Sequence, residues 1–246
     1  MKKTIRALYE DDALIVFDKR PGLLVIPSVR DPRPTLTDLV NRQYPQNQKR
    51  LHPCHRLDRD TSGAIIYAKG KRHQKMMMNL FHGRAVEKTY LAFARGAMRP
   101  PAGKIASSVV VQHHTGTTRP RRSSHGRARQ GKSALTRYRV LKIHQGFSVV
   151  EARPLTGRTN QIRIHFRDRG HPLLGERVYA FGRDFPVKFR RLALHAWRIS
   201  FCHPVTGRPV RIEAPLPEDM RRFMEKARPA HRRGQDSKKR GRIARK

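Results

Sequence analysis

His55-Arg56-Leu57-Asp58-Arg59-Asp60-Thr61-Ser62-Gly63-Ala64-Ile65-Ile66-Tyr67-Ala68 is the stretch on which the reading of this chain turns. Its second part, Ala64 to Ala68, is a short apolar run that follows a Thr-Ser-Gly turn signal and reads as a buried strand. Its first part sets two carboxylates, Asp58 and Asp60, beside Arg56 and Arg59. A carboxylate at the edge of a sheet, next to fixed cations, stays ionised and held in position. That suits a nucleophile or a base. A solvated charged loop closed by a glycine turn is the competing reading, and charge clustering alone does not choose between them.

Charge narrows the partner. The chain has 246 residues with 55 Lys or Arg against 18 Asp or Glu, a net charge of +37. Such an excess repels itself in a compact chain unless a polyanion offsets it, and nucleic acid is the polyanion whose phosphates reward this composition. The basic tail is not the source: residues 228–246 hold nine Lys or Arg and one Asp, and the rest of the chain still carries +29. No apolar run approaches the ~18–20 residues of a membrane-spanning helix. The start, Met1-Lys2-Lys3-Thr4 followed by Glu10-Asp11-Asp12, is no secretory signal. Two cysteines, Cys54 and Cys202, are too few for a disulfide framework and fit a reducing cytoplasm.

Away from the central stretch, residues 13–17 and 23–26 read as strands joined by Asp18-Lys19-Arg20-Pro21-Gly22. Residues 35–43 read as a helix capped by Thr35. Residues 71–82 carry Met76, Met77, Leu80 and Phe81 at helical spacing, with the methionines as core filling. Strands are expected at 86–95, 135–143, 146–153, 192–201 and 208–213, and helices at 160–168 and 218–227, the last with acids in its first turn and bases in its last. Residues 112–133, with six Lys or Arg and no acid, read as a surface loop, either plainly disordered or an arm that orders on RNA. No internal repeat is present. Frequent hairpins among more strands than helices give an α+β fold on a mostly antiparallel sheet. The division is a catalytic domain over 1–227, with 112–133 as its basic insertion, and a basic tail over 228–246.

The run His55–Gly63 resembles the HRLDxxTSG signature of the RluA-like pseudouridine synthases. The resemblance continues in the family's order through Asp18–Val25, Glu87-Lys88-Thr89-Tyr90-Leu91, Gly157–His165, Gly170–Gly175, Leu194-His195-Ala196, Phe201–Arg208 and Ala214–Pro217. It implies a bent, mixed and mostly antiparallel sheet with flanking helices and a central cleft. It implies an isomerase that turns uridine into pseudouridine in structured RNA, ribosomal or transfer, with no cofactor and no metal. An S4-type module ahead of the first motif is not expected, and the protein is expected to be monomeric.

The resemblance also assigns residues. Asp58 matches the catalytic carboxylate. Arg56 matches the arginine that fills the space left by the flipped uridine, because an unreachable base must be taken out of its stack and a planar fork both stacks and hydrogen-bonds. Tyr90 matches the tyrosine that packs on the base and assists proton removal from C5. Arg163 matches the arginine paired with the catalytic carboxylate, a pairing expected to orient it and lower its pKa. His55, Arg59, Arg158 and Gln161 are carried as RNA contacts. The chain departs from the family at Asn160 (usually His), Glu176 (usually Asp), Ala180 (usually Gly) and Pro21 (usually small); none is expected to touch Asp58, Tyr90 or Arg163.

Three rivals stand beside this. His52, Cys54, His55 and Cys202-His203 are zinc-type donors without zinc-type spacing. Asp58 and Asp60 on an extended segment would lie ~6.5 Å apart, wider than the ~5–5.5 Å of a retaining glycosidase. A non-enzymatic RNA-binding or ribosome-assembly protein suits the charge equally well, but has no need of Asp58, Tyr90 and Arg163 together.

Overall fold

Strand β4 (Ser62–Lys69) is buried along seven of its eight residues, so both of its faces need cover. Strand β2 (Leu14–Lys19) runs antiparallel beside it from Leu14↔Ala68 to Lys19↔Gly63. The alternation of side chains then makes two cores. Val16, Ala64, Ile66 and Ala68 pack with Met77 of helix α2 (Lys71–His82). Ile15, Phe17, Ile65 and Tyr67 pack with Leu36 and Val40 of helix α1 (Leu36–Gln43). In this computed structural model the described residues are 4–29, 31–45, 50–109, 132–179 and 187–229.

A second half repeats this plan. Strands β5 (Glu87–Arg95), β6 (Ala102–Val109), β7 (Lys132–His144) and β8 (Phe147–Pro154) form an antiparallel array. Helix α3 (Gln161–Asp168) covers one face through Ile162 and Phe166. Phe93, Phe147 and Val149 on the other face meet Met220 and Phe223 of helix α4 (Glu218–Lys226).

The halves meet at strand β9 (Leu194–Cys202), which pairs antiparallel with β5 and parallel with β4 through Ser62↔His195 and Gly63↔Ala196. This is the single parallel pairing among the described strands. With β1 (Ala7–Glu10), β3 (Leu51–Pro53) and β10 (Pro209–Glu213) the sheet has ten strands among the described residues, ordered β1-β2-β4-β9-β5-β8-β7-β6, with β3 on β4 and β10 on β9. The α+β, mostly antiparallel fold is as expected.

Several local expectations change. Residues 23–26 are not a strand: the carbonyls of Leu24 and Val25 accept from the amides of Leu36 and Thr37 at 2.7 and 3.3 Å, so the segment caps α1 instead of joining a ladder. Thr35 does cap that helix, in a capping box with Asp38. Lys132 and Ser133, placed in the basic loop, belong to β7. Arg228, placed in the tail, accepts at its carbonyl from Gln145 N (2.9 Å), and Pro229 bridges to His144. The rest of both segments, residues 112–131 and 230–246, lies outside the described residues, as does Ala180.

Candidate active site

The Thr-Ser-Gly element is the joint between the two halves. Thr61 and Ser62 are buried. Ser62 Oγ lies 3.0 Å from His195 Nδ1, and His195 Nε2 faces the carbonyl of Ala214 at 3.3 Å. Burial holds the imidazole neutral, its pKa down to about 4. Nε2 therefore carries the proton to the carbonyl, and Nδ1 accepts from the serine. Gly63 has φ +109 and sits so close to β9 that a Cβ there would stand 2.2 Å from the Ala196 carbonyl oxygen. Only glycine fits, and the strand it starts fixes where the preceding residues point.

Those residues form a turn closed by Thr61 N donating to Asp58 O at 3.1 Å. From the other side, the fully buried Lys19 donates through Nζ to the carbonyls of Arg59 (2.8 Å) and Arg20 (3.0 Å), and Gly22 N also donates to Arg59 O (2.9 Å). Burial pushes the Lys19 ammonium down to about 7, against the pull of Asp60 and Asp58. Leu57 anchors the turn in the α1-side core. The Asp58–Asp60 segment is thus a turn and not an extended strand, which removes the geometry assumed for a glycosidase pair.

Asp58 sits on the floor of a cleft of about 990 Å³ formed by residues 54–58, 81–90, 133–137 and 153–162. Its side chain keeps 22% of its accessible surface. Arg163 Nη1 lies 4.0 Å from Asp58 Oδ2, so Arg163 faces the carboxylate without closing a hydrogen bond on it. The guanidinium is held elsewhere: Nε and Nη2 donate to Glu176 Oε2 and Oε1, each at 2.7 Å, and Nη1 donates to Asn160 Oδ1 at 2.8 Å. Glu176 is itself pinned by the amides of Val178 and Tyr179. Two expectations are corrected here. The departures at Asn160 and Glu176 do touch Arg163; they set its position. And the Asp58 pKa is raised, because burial outweighs Arg163, Arg56 and Lys19, with the Glu176 charge adding to the rise.

Tyr90 lies where β5 shifts register against β9, and its ring packs against the cores of both halves while lining the cleft. Burial and the Asp58 charge push its hydroxyl far above the usual phenol range. It stays protonated at neutral pH, so it offers a ring face and an O–H, and a proton-accepting role does not fit the ground state. Arg56 is exposed at the cleft, and Arg158 lines it while donating to Ser133 O at 3.3 Å.

Three other assigned RNA contacts land differently. Arg59 points away from the cleft lining, toward Asp31 at 3.8 Å. His55 accepts from Ile66 N through Nε2 at 3.0 Å and packs on Phe81; burial brings it down to about 3, so it is a neutral framework residue on the cleft wall. Gln161 is buried and saturated. It donates to Leu135 O and Thr136 Oγ1, and accepts from Thr156 Oγ1 and Arg158 N, leaving nothing for RNA. Sequence reasoning also missed Lys19, Asn160 and Glu176 as supports of the site. Lys19 and Asn160 stood in quoted motifs and Glu176 among the departures from the family pattern, but nothing in a motif says which polar groups are buried against which.

Among the described residues no three His, Cys, Asp or Glu side chains converge on a metal position. The Cys54 thiol is pushed up to about 12 by burial, which disfavours the thiolate a metal needs.

A family model described as RNA pseudouridylate synthase matches residues 13–168. A ribosomal large subunit pseudouridine synthase D of Xanthomonas campestris pv. campestris is 34% identical over 234 residues, 89% of this chain and 68% of that protein. One of the same name from Nitrosomonas europaea is 35% identical over 231 residues, 90% of this chain and 64% of that protein, so the chain spans about two thirds of such relatives. Among solved structures, human RNA Pseudouridylate Synthase Domain Containing 4 superimposes with a TM-score of 0.71 at 26% identity, covering 89% of this chain and 91% of that one. With the signature on the floor of the cleft and these matches across both halves of the sheet, the chain belongs to the RNA pseudouridylate synthase family.

Proposed function

We propose that the protein isomerises uridine to pseudouridine in ribosomal RNA, with Asp58 as the group that acts on the nucleotide. The observation that carries this is Asp58 itself: a carboxylate on the cleft floor, still reachable, facing a guanidinium that other residues hold in place. The reaction breaks the bond from uracil N1 to the ribose, turns the base, joins C5 to the same ribose carbon and releases the C5 hydrogen as a proton. Nothing is oxidised and no outside group enters, so the chemistry calls for no cofactor. Asp58 adds either to the ribose carbon or to the uracil ring. Tyr90 stacks on the base, worth ~1–3 kcal/mol, and Arg56 fills the gap in the RNA. The ribosomal target is supported by the relatives' names. Both cysteines are free thiols, which supports a reducing cytoplasm. Large-subunit and transfer RNA transcripts, treated with the protein and mapped for pseudouridine, test the target. Modification confined to transfer RNA would overturn the ribosomal assignment.

Two further outcomes follow from the site. The active form is the carboxylate, and burial raises its pKa above the ordinary 3.8. The single-turnover rate should therefore fall as pH drops, with its midpoint above that value. A midpoint at or below it would show that Asp58 is better solvated than this cleft allows. Glu176→Gln removes the ionic hold on Arg163. A charged hydrogen-bond pair contributes roughly 1.5–3 kcal/mol, so single-turnover rate should fall on the order of 10–100-fold while RNA affinity stays. Rates equal to wild type would mean that Arg163 needs no such support.

A further inference from the structure

From the cleft wall outward, the outer strands carry cations to which the isomerisation assigns no role. Lys104 of β6 is opposite Arg137 of β7, and Arg137 is opposite Arg153 of β8. All three are exposed. Cross-strand partners share one face of a sheet, so they form a row perpendicular to the strands, about 10 Å from end to end at ~4.8 Å per strand. The next row is Ala102, Arg139 and Glu151. Glu151 is buried and is occupied by Arg153 (3.0 Å) and Arg139 (3.4 Å). Among the described residues, Lys104 and Arg137 have no carboxylate partner.

The small side chains of Ala102 and Ala106 flank Lys104 on its strand and leave the surface low there. A shallow depression of about 280 Å³ is lined by Arg137, Tyr138, Arg139, Glu151 and Arg153. Arg137 and Arg153 also line the cleft that holds Asp58. The row is therefore continuous with the active site at one end and reaches the outer strand at the other.

We propose that this row is a phosphate track that receives the RNA backbone flanking the uridine held in the cleft. The inference rests on the function proposed above and adds where the rest of the RNA lies. A row of three cations at strand spacing on a flat face, two of them without a carboxylate partner, suits consecutive phosphates of a stem, which proteins read by shape and backbone and not by sequence. Continuity with the cleft favours RNA as the occupant over an acidic protein segment.

The test uses the full chain and the Lys104→Ala/Arg137→Ala double variant. Both side chains are exposed and unpaired, so the variant should melt like wild type. Binding is measured across a salt series to two RNAs: a ribosomal segment with its flanking stem, and the same segment trimmed to the loop. On the long RNA the slope of log affinity against log salt should shrink by roughly 1.4–1.8, two phosphates at ~0.7–0.9 each. On the trimmed RNA, which can still meet Arg137 at the cleft wall, it should change by no more than about half of that. An unchanged slope on the long RNA, or an equal change on both, overturns the track. If wild type modifies neither RNA but the slope difference appears, the track stands and the proposed function falls.

Discussion

Asp58→Asn should give a protein that folds, binds RNA and does not isomerise it. Among the described residues no other carboxylate is placed to replace it: the second acid lining the cleft is Glu87, and Glu176 is spent on Arg163. Removing a nucleophile or base of this kind costs on the order of 10⁴-fold or more in rate. The same substitution should raise thermal stability. The folded pKa of Asp58 lies above its unfolded value, so the folded state favours the protonated form. Stability from this group is fully present below the unfolded pKa and is lost as pH rises through the folded one. At neutral pH the carboxylate is therefore a net burden on the fold, and the uncharged amide removes it. Arg163 is not left unpaired, because Glu176 and Asn160 hold it. Melting curves at neutral pH should put Asp58→Asn at or above wild type, with the gap narrowing as pH is lowered. A variant that melts clearly lower would show that Asp58 is held by attraction and not at the expense of burial.

Gly63→Ala should damage the fold itself. Its Cβ would meet the Ala196 carbonyl oxygen at 2.2 Å and the Ala196 carbonyl carbon and amide nitrogen at 2.8 Å each, all backbone of a central strand. The φ of +109 adds strain for any residue with a Cβ. Neither strand can retreat without opening the parallel join that holds the two halves together. A loss of ~3–5 kcal/mol is expected, at the upper end for a point substitution, or a melting temperature lower by on the order of 10 °C. Gly207→Ala is the control: φ is +71 but no atom lies within 4 Å of the added carbon, so it should lose only ~1–3 kcal/mol of backbone strain. Equal losses at the two glycines would mean that the close approach at Ala196 relaxes freely.

The readable parts of this protein were those where one local signal decides. The apolar run Ala64–Ala68 pointed to a buried strand, and the spacing of Met76, Met77, Leu80 and Phe81 to α2 with the bounds found. Weak or short strands were lost: β1 and β3 have four and three residues, and β6 is rich in small residues, so hydrophobic alternation had little to act on. At residues 23–26 the apolar pattern suggested a strand, but only Val25 is buried, Ile26 is exposed, and the carbonyls of Leu24 and Val25 are claimed by α1, which no local pattern announces. The site divides the same way. Motif order located Asp58, Tyr90 and Arg163, and the structure sets all three around one cleft. What motif order did not reveal was which polar residues face inward: Gln161 and His55 have their hydrogen-bonding atoms committed to the framework, while Glu176 and Asn160 aim the arginine. Those roles depend on three-dimensional neighbours, and so does the sign of the Asp58 shift, where burial exceeds the attraction of three cations.

The most direct test is tritium release from large-subunit ribosomal RNA labelled at uracil C5, with wild type and Asp58→Asn at equal RNA occupancy. Joining C5 to the ribose expels that hydrogen, so release reports the new bond itself. Release in proportion to enzyme and time for wild type, and none for the variant, is the result this account predicts. Release by both proteins would contradict the role given to Asp58, and release by neither, with RNA bound, would contradict the isomerisation.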